Sequence, residues 1–383
     1  MKQISKDVFY VGVNDRSKDL FEGQFPVPNG VAYNSYLIKD EKVAVLDSVD
    51  VGFTMQWLEN IAEVLGETAP DYLIVSHMEP DHSASIGEFV KRYPTAAIVG
   101  NAKTFVMLSE YFSRDFTENA VIVAEGDNLS LGAHNLKFIF APMVHWPEVM
   151  TEYDETDKTL YSADAFGKFG ALDFDEPWED EARRYYFGIV GKYGLQVTNY
   201  FKKLESLTIK RICPLHGPVL EGETDTYFGL YKKWAAYEPE AVGVTIAYTS
   251  VYGNTKKAVE ILCDGLKKEG TPHKVYDLAR CDHSQCVADA FKYDKLVLAT
   301  TTYNGDVFPP MRAFLEELAE RNFKNRKVAV IENGSWAPNA ARAILKYTEG
   351  CKQLEFLPAV TIRAAVTAEN IKAIKSLAKD LSV

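Results

Sequence analysis

Near residue 80, six consecutive positions carry four groups able to bind a metal: His77-Met78-Glu79-Pro80-Asp81-His82. They follow Tyr72 to Ser76, an apolar run with the length and composition of a buried strand. Two imidazoles and two carboxylates at the end of such a strand are costly to bury unless a cation or water meets them. Three further residues repeat the placement. His145 follows a strand ending in Phe140-Ala141-Pro142, and Asp164 follows Thr159 to Ser162. His216 follows Ile209 to Cys213, within Pro214-Leu215-His216-Gly217-Pro218. A solvated polar loop is the plain alternative for any one of these segments. Their recurrence after successive strands instead predicts a gathering on one edge of a sheet structure. His134 and His273 lack this context and are assigned to surface or packing roles.

The second half carries a different set. A strand from Gly243 to Tyr248 leads into Thr249-Ser250-Val251-Tyr252-Gly253-Asn254-Thr255, after which a helix begins. Hydroxyls and backbone amides opening onto a helix N-terminus suit a single phosphate. Neither G-x-G-x-x-G nor the lysine of a nucleotide-triphosphate loop is present, so a dinucleotide or nucleoside triphosphate is not indicated. Two more loops end strands of the same series: Thr302-Tyr303-Asn304-Gly305, and Asn333-Gly334-Ser335-Trp336. Each offers an aromatic on which a planar ring can stack. Read singly, the glycines are turn formers; read together, the loops make one ligand edge.

The elements required to position these residues divide the chain in two. Residues 1–240 alternate short strands (Asp7 to Val13, Val31 to Lys39, Val43 to Ser48, Ala96 to Val99, Val121 to Val123) with helical stretches such as Thr54 to Leu65, as in an α/β sandwich. After Tyr237-Glu238-Pro239-Glu240, residues 241–383 alternate strand and helix strictly, predicting a doubly wound parallel sheet. The length of 383 residues accommodates both. With 42 Lys and Arg against 54 Asp and Glu, the net charge of -12 argues against nucleic acid or an anionic membrane as partner. No apolar run approaches a membrane span and no secretory core opens the chain, so a cytoplasmic protein is expected. The five cysteines form no C-x-x-C pair, which excludes a zinc knuckle or a fused rubredoxin-type centre from this sequence; Cys281, His283 and Cys286 are read as a polar loop with free thiols.

The segment from His77 to His82 resembles the H-x-H-x-D-H motif of the metallo-β-lactamase superfamily, with Glu79 in place of the second histidine. Together with the three loops of the second half, it resembles the flavodiiron proteins over essentially the whole chain. The change at Glu79 has physical content, since a hard anionic oxygen in place of an imidazole shifts preference from zinc towards iron or manganese. The resemblance implies an N-terminal metallo-β-lactamase-like αβ/βα sandwich and a C-terminal flavodoxin-like domain binding FMN. It implies one iron on His77, Glu79 and His145, a second on Asp81 and His216, and Asp164 bridging them; His82 falls at a position whose ligation of the second iron varies. Tyr193 matches a region resembling the family's substrate pocket, or is an ordinary core or surface tyrosine. The implied activity is reduction of dioxygen to water, or of nitric oxide to nitrous oxide, with rubredoxin or a reduced deazaflavin as donor, in a head-to-tail homodimer or a dimer of dimers. Around His145 the sequence departs from the family, with Glu148-Val149 where Asp-Ser often follows the proline. A zinc hydrolase fused to an electron-transfer module, and an electron carrier with a degenerate metal domain, are the rival readings. Glu79 argues against the first and the complete ligand set against the second.

Overall fold

The computed structural model describes residues 2–383 and divides into two compact units, one running to Tyr231 and the other spanning Lys232–Val383. In the first unit a sheet is ordered Lys2–Gln3, Val8–Tyr10, Tyr36–Lys39, Val43–Leu46, Tyr72–Ile74, Ala97–Gly100, Ala120–Ile122. Its first four strands pair antiparallel, and the pairings from Val43–Leu46 onward are parallel. A second sheet is ordered Asn128–Ser130, Asn135–Phe140, Met150–Asp154, Thr159–Tyr161, Arg211–Cys213, Leu220–Glu221. The sheets meet through alternate side chains: Tyr36, Ile38, Leu46, Ile74 and Val99 of one pack with Leu136, Phe138, Met150, Tyr161 and Cys213 of the other. The helix Thr54–Leu65 buries Trp57, Leu58, Ile61 and Leu65 at helical spacing. The expected sandwich is present.

One local departure matters for function. The expected single strand Val31 to Lys39 is two strands in different sheets, since Val31–Tyr33 pairs with Val13–Asp15 in a separate ribbon. The break falls at Asn34, whose backbone N–H donates to Leu215 and whose amide donates to the carbonyls of Pro214 and Gly217, both at 2.7 Å. The chain leaves the ladder in order to hold the loop carrying His216.

In the second unit the parallel strands are ordered His273–Asp277, Ala241–Tyr248, Tyr293–Tyr303, Arg326–Asn333 and then Leu354–Phe356. This is the 2-1-3-4-5 order of flavodoxin-like sheets. The last position is split: Leu354–Phe356 and Val360–Ile362 both pair with Arg326–Asn333. Arg326 is buried, and its guanidinium donates to the carbonyls of Tyr237, Ala290, Phe291, Lys324 and Asn325. Among the described residues no helix is long and apolar enough to cross a membrane.

Candidate functional site

Seven side chains predicted from the sequence converge in the first unit, as two groups sharing one carboxylate. In the first group, His145 Nε2 lies 3.0 Å from both Glu79 Oε2 and Asp164 Oδ2. His77 Nε2 lies 3.3 Å from the same Glu79 oxygen and 3.4 Å from the same Asp164 oxygen. In the second, His82 Nε2 and His216 Nε2 face each other at 3.0 Å, and lie 3.4 and 3.3 Å from Asp81 Oδ2. The other oxygen of Asp164, Oδ1, is 3.4 Å from His82 and 3.7 Å from His216. Asp164 therefore presents one oxygen to each group. His77, His82, Asp164 and His216 are at most 1% exposed.

Local folding explains the convergence. The strand Tyr72–Ile74 delivers His77; Pro80 then opens the short helix Pro80–Ser83, which turns Asp81 and His82 inward. Asp47 accepts from the N–H groups of Ser76 and His77, pinning the start of this loop. Ala163 and Phe166, on either side of Asp164, have positive φ, so Asp164 sits in a tight non-helical turn.

The charges are mutually dependent. Burial opposes charging His77, yet Asp164, Glu148 and Glu79 together hold its pKa well above the usual histidine range. Burial also opposes charge on His145, but Asp164 and Glu79 push its pKa up to about 9. Conversely, burial works against ionisation of Asp164 and Glu79, and the surrounding histidines hold both carboxyls below their usual range. Both oxygens of Asp81, Oδ1 of Asp164 and Nδ1 of His82 are buried without a hydrogen-bond partner. Carboxylate oxygens without a hydrogen-bond donor in a dry interior are costly unless a cation meets them. The residues fit a pair of hard divalent ions.

Aromatic rings wall the site. Phe21 and Tyr185 lie 5.3 and 5.4 Å from the His216 ring, Tyr33 lies 6.0 Å from it, and Trp146 lies 5.3 Å from His77. Tyr33 and Tyr185 are buried with unpartnered hydroxyls. Tyr193 is not among these rings; it is half-buried in the turn Gly191–Tyr193, which follows the π-helical segment Tyr186–Val190. Sequence reasoning missed Tyr33 and Tyr185, which no spacing signal marks. It also missed Glu22, whose carboxyl neighbours that of Glu79; partial desolvation and the charge of Glu79 push its pKa up to about 7.

His134, assigned to a packing or surface role, is buried in an ion pair, with Nδ1 2.7 Å from Asp154 Oδ2. Of the Cys281–Cys286 segment, Cys286 is buried in the helix His283–Lys292 rather than in a polar loop. Both ring nitrogens of His283 are engaged, by Glu317 and by the Leu278 carbonyl.

In the second unit, a cavity of about 480 Å³ lies along the loops at the carboxyl ends of the parallel strands, within the range of roughly 300–1,000 Å³ usual for small-molecule sites. Ser250, Val251, Tyr252, Asn254 and Thr255 line one side, Thr302, Tyr303, Asn304 and Gly305 another, and Asn333, Gly334, Ser335 and Trp336 a third. Thr301 and Ala364 line it too. Two expected residues act from behind: the Thr249 hydroxyl bonds that of Thr300, and Gly253 supplies the φ of +89° that starts the helix Asn254–Lys268. The Ser250 hydroxyl accepts from the N–H groups of Gly253 and Lys256, which shapes the loop. Tyr252 and Trp336 are 94% and 91% exposed, leaving two aromatic faces at the rim.

Comparison with known proteins agrees with this architecture. Residues 31–217 match the ODP family beta lactamase description, and residues 246–357 match flavodoxin. An uncharacterized protein of Methanocaldococcus jannaschii is 30% identical, over 82% of this chain and 80% of its own. The nitric oxide reductase of Moorella thermoacetica is 28% identical, over 99% and 97% of the two chains. The rubredoxin oxygen:oxidoreductase of Desulfovibrio gigas superposes with a TM-score of 0.92 at 24% identity, over 100% of this chain and 97% of that one, a likeness of fold. A sandwich carrying a carboxylate-rich site for two metal ions, followed by a flavodoxin domain, defines the class. The chain belongs to the flavodiiron proteins; the flavodiiron protein of Giardia intestinalis superposes on 100% of it and 95% of its own chain with a TM-score of 0.92 at 24% identity, a likeness of fold.

Proposed function

We propose that the protein reduces dioxygen to water, or two nitric oxides to nitrous oxide and water, with electrons from an external donor passing through FMN to a diiron site. The observation that carries this reading is the two-part cluster around Asp164, with its unpartnered carboxylate oxygens, in a chain that also has the flavin cavity. His77, Glu79 and His145 would hold one iron, Asp81 and His216 the other, with Asp164 between them and His82 placed to join the second. Glu79, Asp81 and Asp164 would offset three of the four positive charges of two ferrous ions, which favours holding such a pair in a buried site. When bound, the iron pair supplies the redox chemistry at the oxidant and FMN supplies electrons singly or in pairs.

The protein's own groups do the rest. The walls of Phe21, Tyr33, Trp146 and Tyr185 keep bulk water from the cluster. Burial holds the hydroxyls of Tyr33 and Tyr185 in their protonated form, and they are the unpartnered O–H donors beside the cluster. In the second unit, Ser250 to Thr255 would cradle the single phosphate, and Tyr303 and Trp336 would flank the ring system.

The reading extends to a cytoplasmic enzyme that draws electrons from a rubredoxin, which the name of the Desulfovibrio gigas relative includes, or from a reduced deazaflavin. It extends likewise to a head-to-tail homodimer, or a dimer of dimers, in which the flavin of one chain would serve the iron of the other. The exposed rings of Tyr252 and Trp336 suit coverage by a partner. Iron and flavin analysis, with steady-state consumption of each oxidant under one defined donor, tests the reading. Stoichiometric zinc, or FAD in place of FMN, contradicts it. Mixed dimers of an Asp164→Ala chain and a flavin-deficient chain should regain partial activity if transfer runs between chains.

A further inference from the structure

Behind their metal-facing nitrogens, the imidazoles of the two subsites are held differently. The Nδ1–H of His77 donates to Glu148 Oε1 at 2.9 Å, and the Met78 backbone N–H donates to the same oxygen at 2.8 Å. Glu148 is 1% exposed and its backbone is held in turn, because the Asn101 amide donates to its carbonyl while the Asn101 oxygen caps the helix Ala102–Phe112. The loop that brings His145 to the first subsite thus also brings, three residues later, the acid that backs His77. Among the described residues no carboxylate backs an imidazole of the second subsite in this way. There the Nδ1–H of His216 donates to the neutral carbonyl of Ala32 at 2.7 Å, and Nδ1 of His82 is buried without a partner.

We propose that Glu148 is a positioning residue that makes the two metal subsites unequal, so that the ion on His77, Glu79 and His145 is gripped more tightly than the ion on Asp81, His82 and His216. The inference rests on the diiron reading above. A carboxylate accepting from Nδ1–H fixes the tautomer with a lone pair on Nε2, orients the ring, and increases its donor strength towards a cation. A backbone carbonyl fixes the tautomer but carries no net charge. Removing such a backing partner typically weakens metal binding ~10- to 100-fold. A purely structural account is also available, in which Glu148 only braces the loop through Met78. Glu148→Gln separates the two, since its amide oxygen can still accept from Met78 and His77 while the charge is gone.

The experiment loads the full-length protein with ferrous iron anaerobically and titrates it with a ferrous chelator, counting iron and flavin per chain. The wild type should release iron in two steps. In Glu148→Gln the later step should move ~10- to 100-fold towards lower chelator concentration, with the early step and the flavin content unchanged. Glu148→Ala should show at least the same shift. Release from Glu148→Gln identical to the wild type overturns the proposal, as does a single step in the wild type or a shift confined to the early step. A wild type that takes up no iron at all would overturn the diiron reading itself. Two bound ions with an unmoved Gln variant would remove only the role of Glu148.

Discussion

The metal cluster and the flavin cavity solve opposite problems. The cluster is made of charged side chains withdrawn from water, and Oδ2 of Asp81 and Oδ1 of Asp164 face imidazoles at 3.3–3.7 Å without a hydrogen bond. The flavin cavity is made of backbone, hydroxyls and rings at a surface, and its phosphate loop is already closed by Ser250 accepting from Gly253 and Lys256. The first site is completed by its ligand; the second is shaped before its ligand arrives. Ligand and fold should therefore be coupled strongly in the first unit and weakly in the second.

Stripping the iron should give the largest effect. A cation present at a thousandfold over its Kd stabilises the fold by about 4 kcal/mol, so calorimetry of metal-free protein should show the first unit melting well below its loaded temperature. Removing the flavin should move the second unit much less. Equal shifts would erase the contrast. Next, Asp164→Ala should lose at least one iron per chain and lower turnover by roughly a hundredfold or more, because each group loses an oxygen it shares. His82→Ala should retain more iron than Asp164→Ala, since His216 and Asp81 remain to the second group; iron counts on the two purified variants decide this. Thr255→Ala, at the buried head of the phosphate loop, should weaken flavin binding by about 1 kcal/mol, near fivefold, with iron unchanged. Fluorescence titration of the stripped protein with FMN measures it.

A separate effect concerns a buried charge of the first unit that is paired without any metal. The hydrogen bond to Asp154 raises the pKa of His134 to about 9, against burial. Because the folded value lies above the ordinary histidine pKa of about 6.5, the pair contributes fully below that value. The contribution fades as pH rises through about 9. Urea midpoints of wild type and Asp154→Asn should accordingly differ at pH 6 and converge towards pH 10.

Much of the cluster was legible because chemistry and sequence proximity coincide in His77-Met78-Glu79-Pro80-Asp81-His82, and because His145, Asp164 and His216 each follow a strand. The parallel, doubly wound sheet of the second unit was legible for a similar reason, since strict strand–helix alternation leaves few topologies. What stayed hidden depends on tertiary contacts without a pattern of their own. The break at Asn34 reflects hydrogen bonds to a loop some 180 residues away. Tyr185 reaches His216 through helix packing, whereas Tyr193, two turns further on, does not. Glu148 looked like a departure in a loop; only its contact with His77 shows what it does.

Arg326 bears on how the flavin unit can be handled in isolation. One of its carbonyl acceptors belongs to Tyr237, and the compact unit begins at Lys232. A fragment starting at residue 241 would delete that acceptor, the nearest of the three carbonyls that Arg326 Nη1 reaches, at 2.8 Å against 3.0 Å for Lys324 and 3.1 Å for Asn325. The excision point that respects this cation lies upstream of Tyr237.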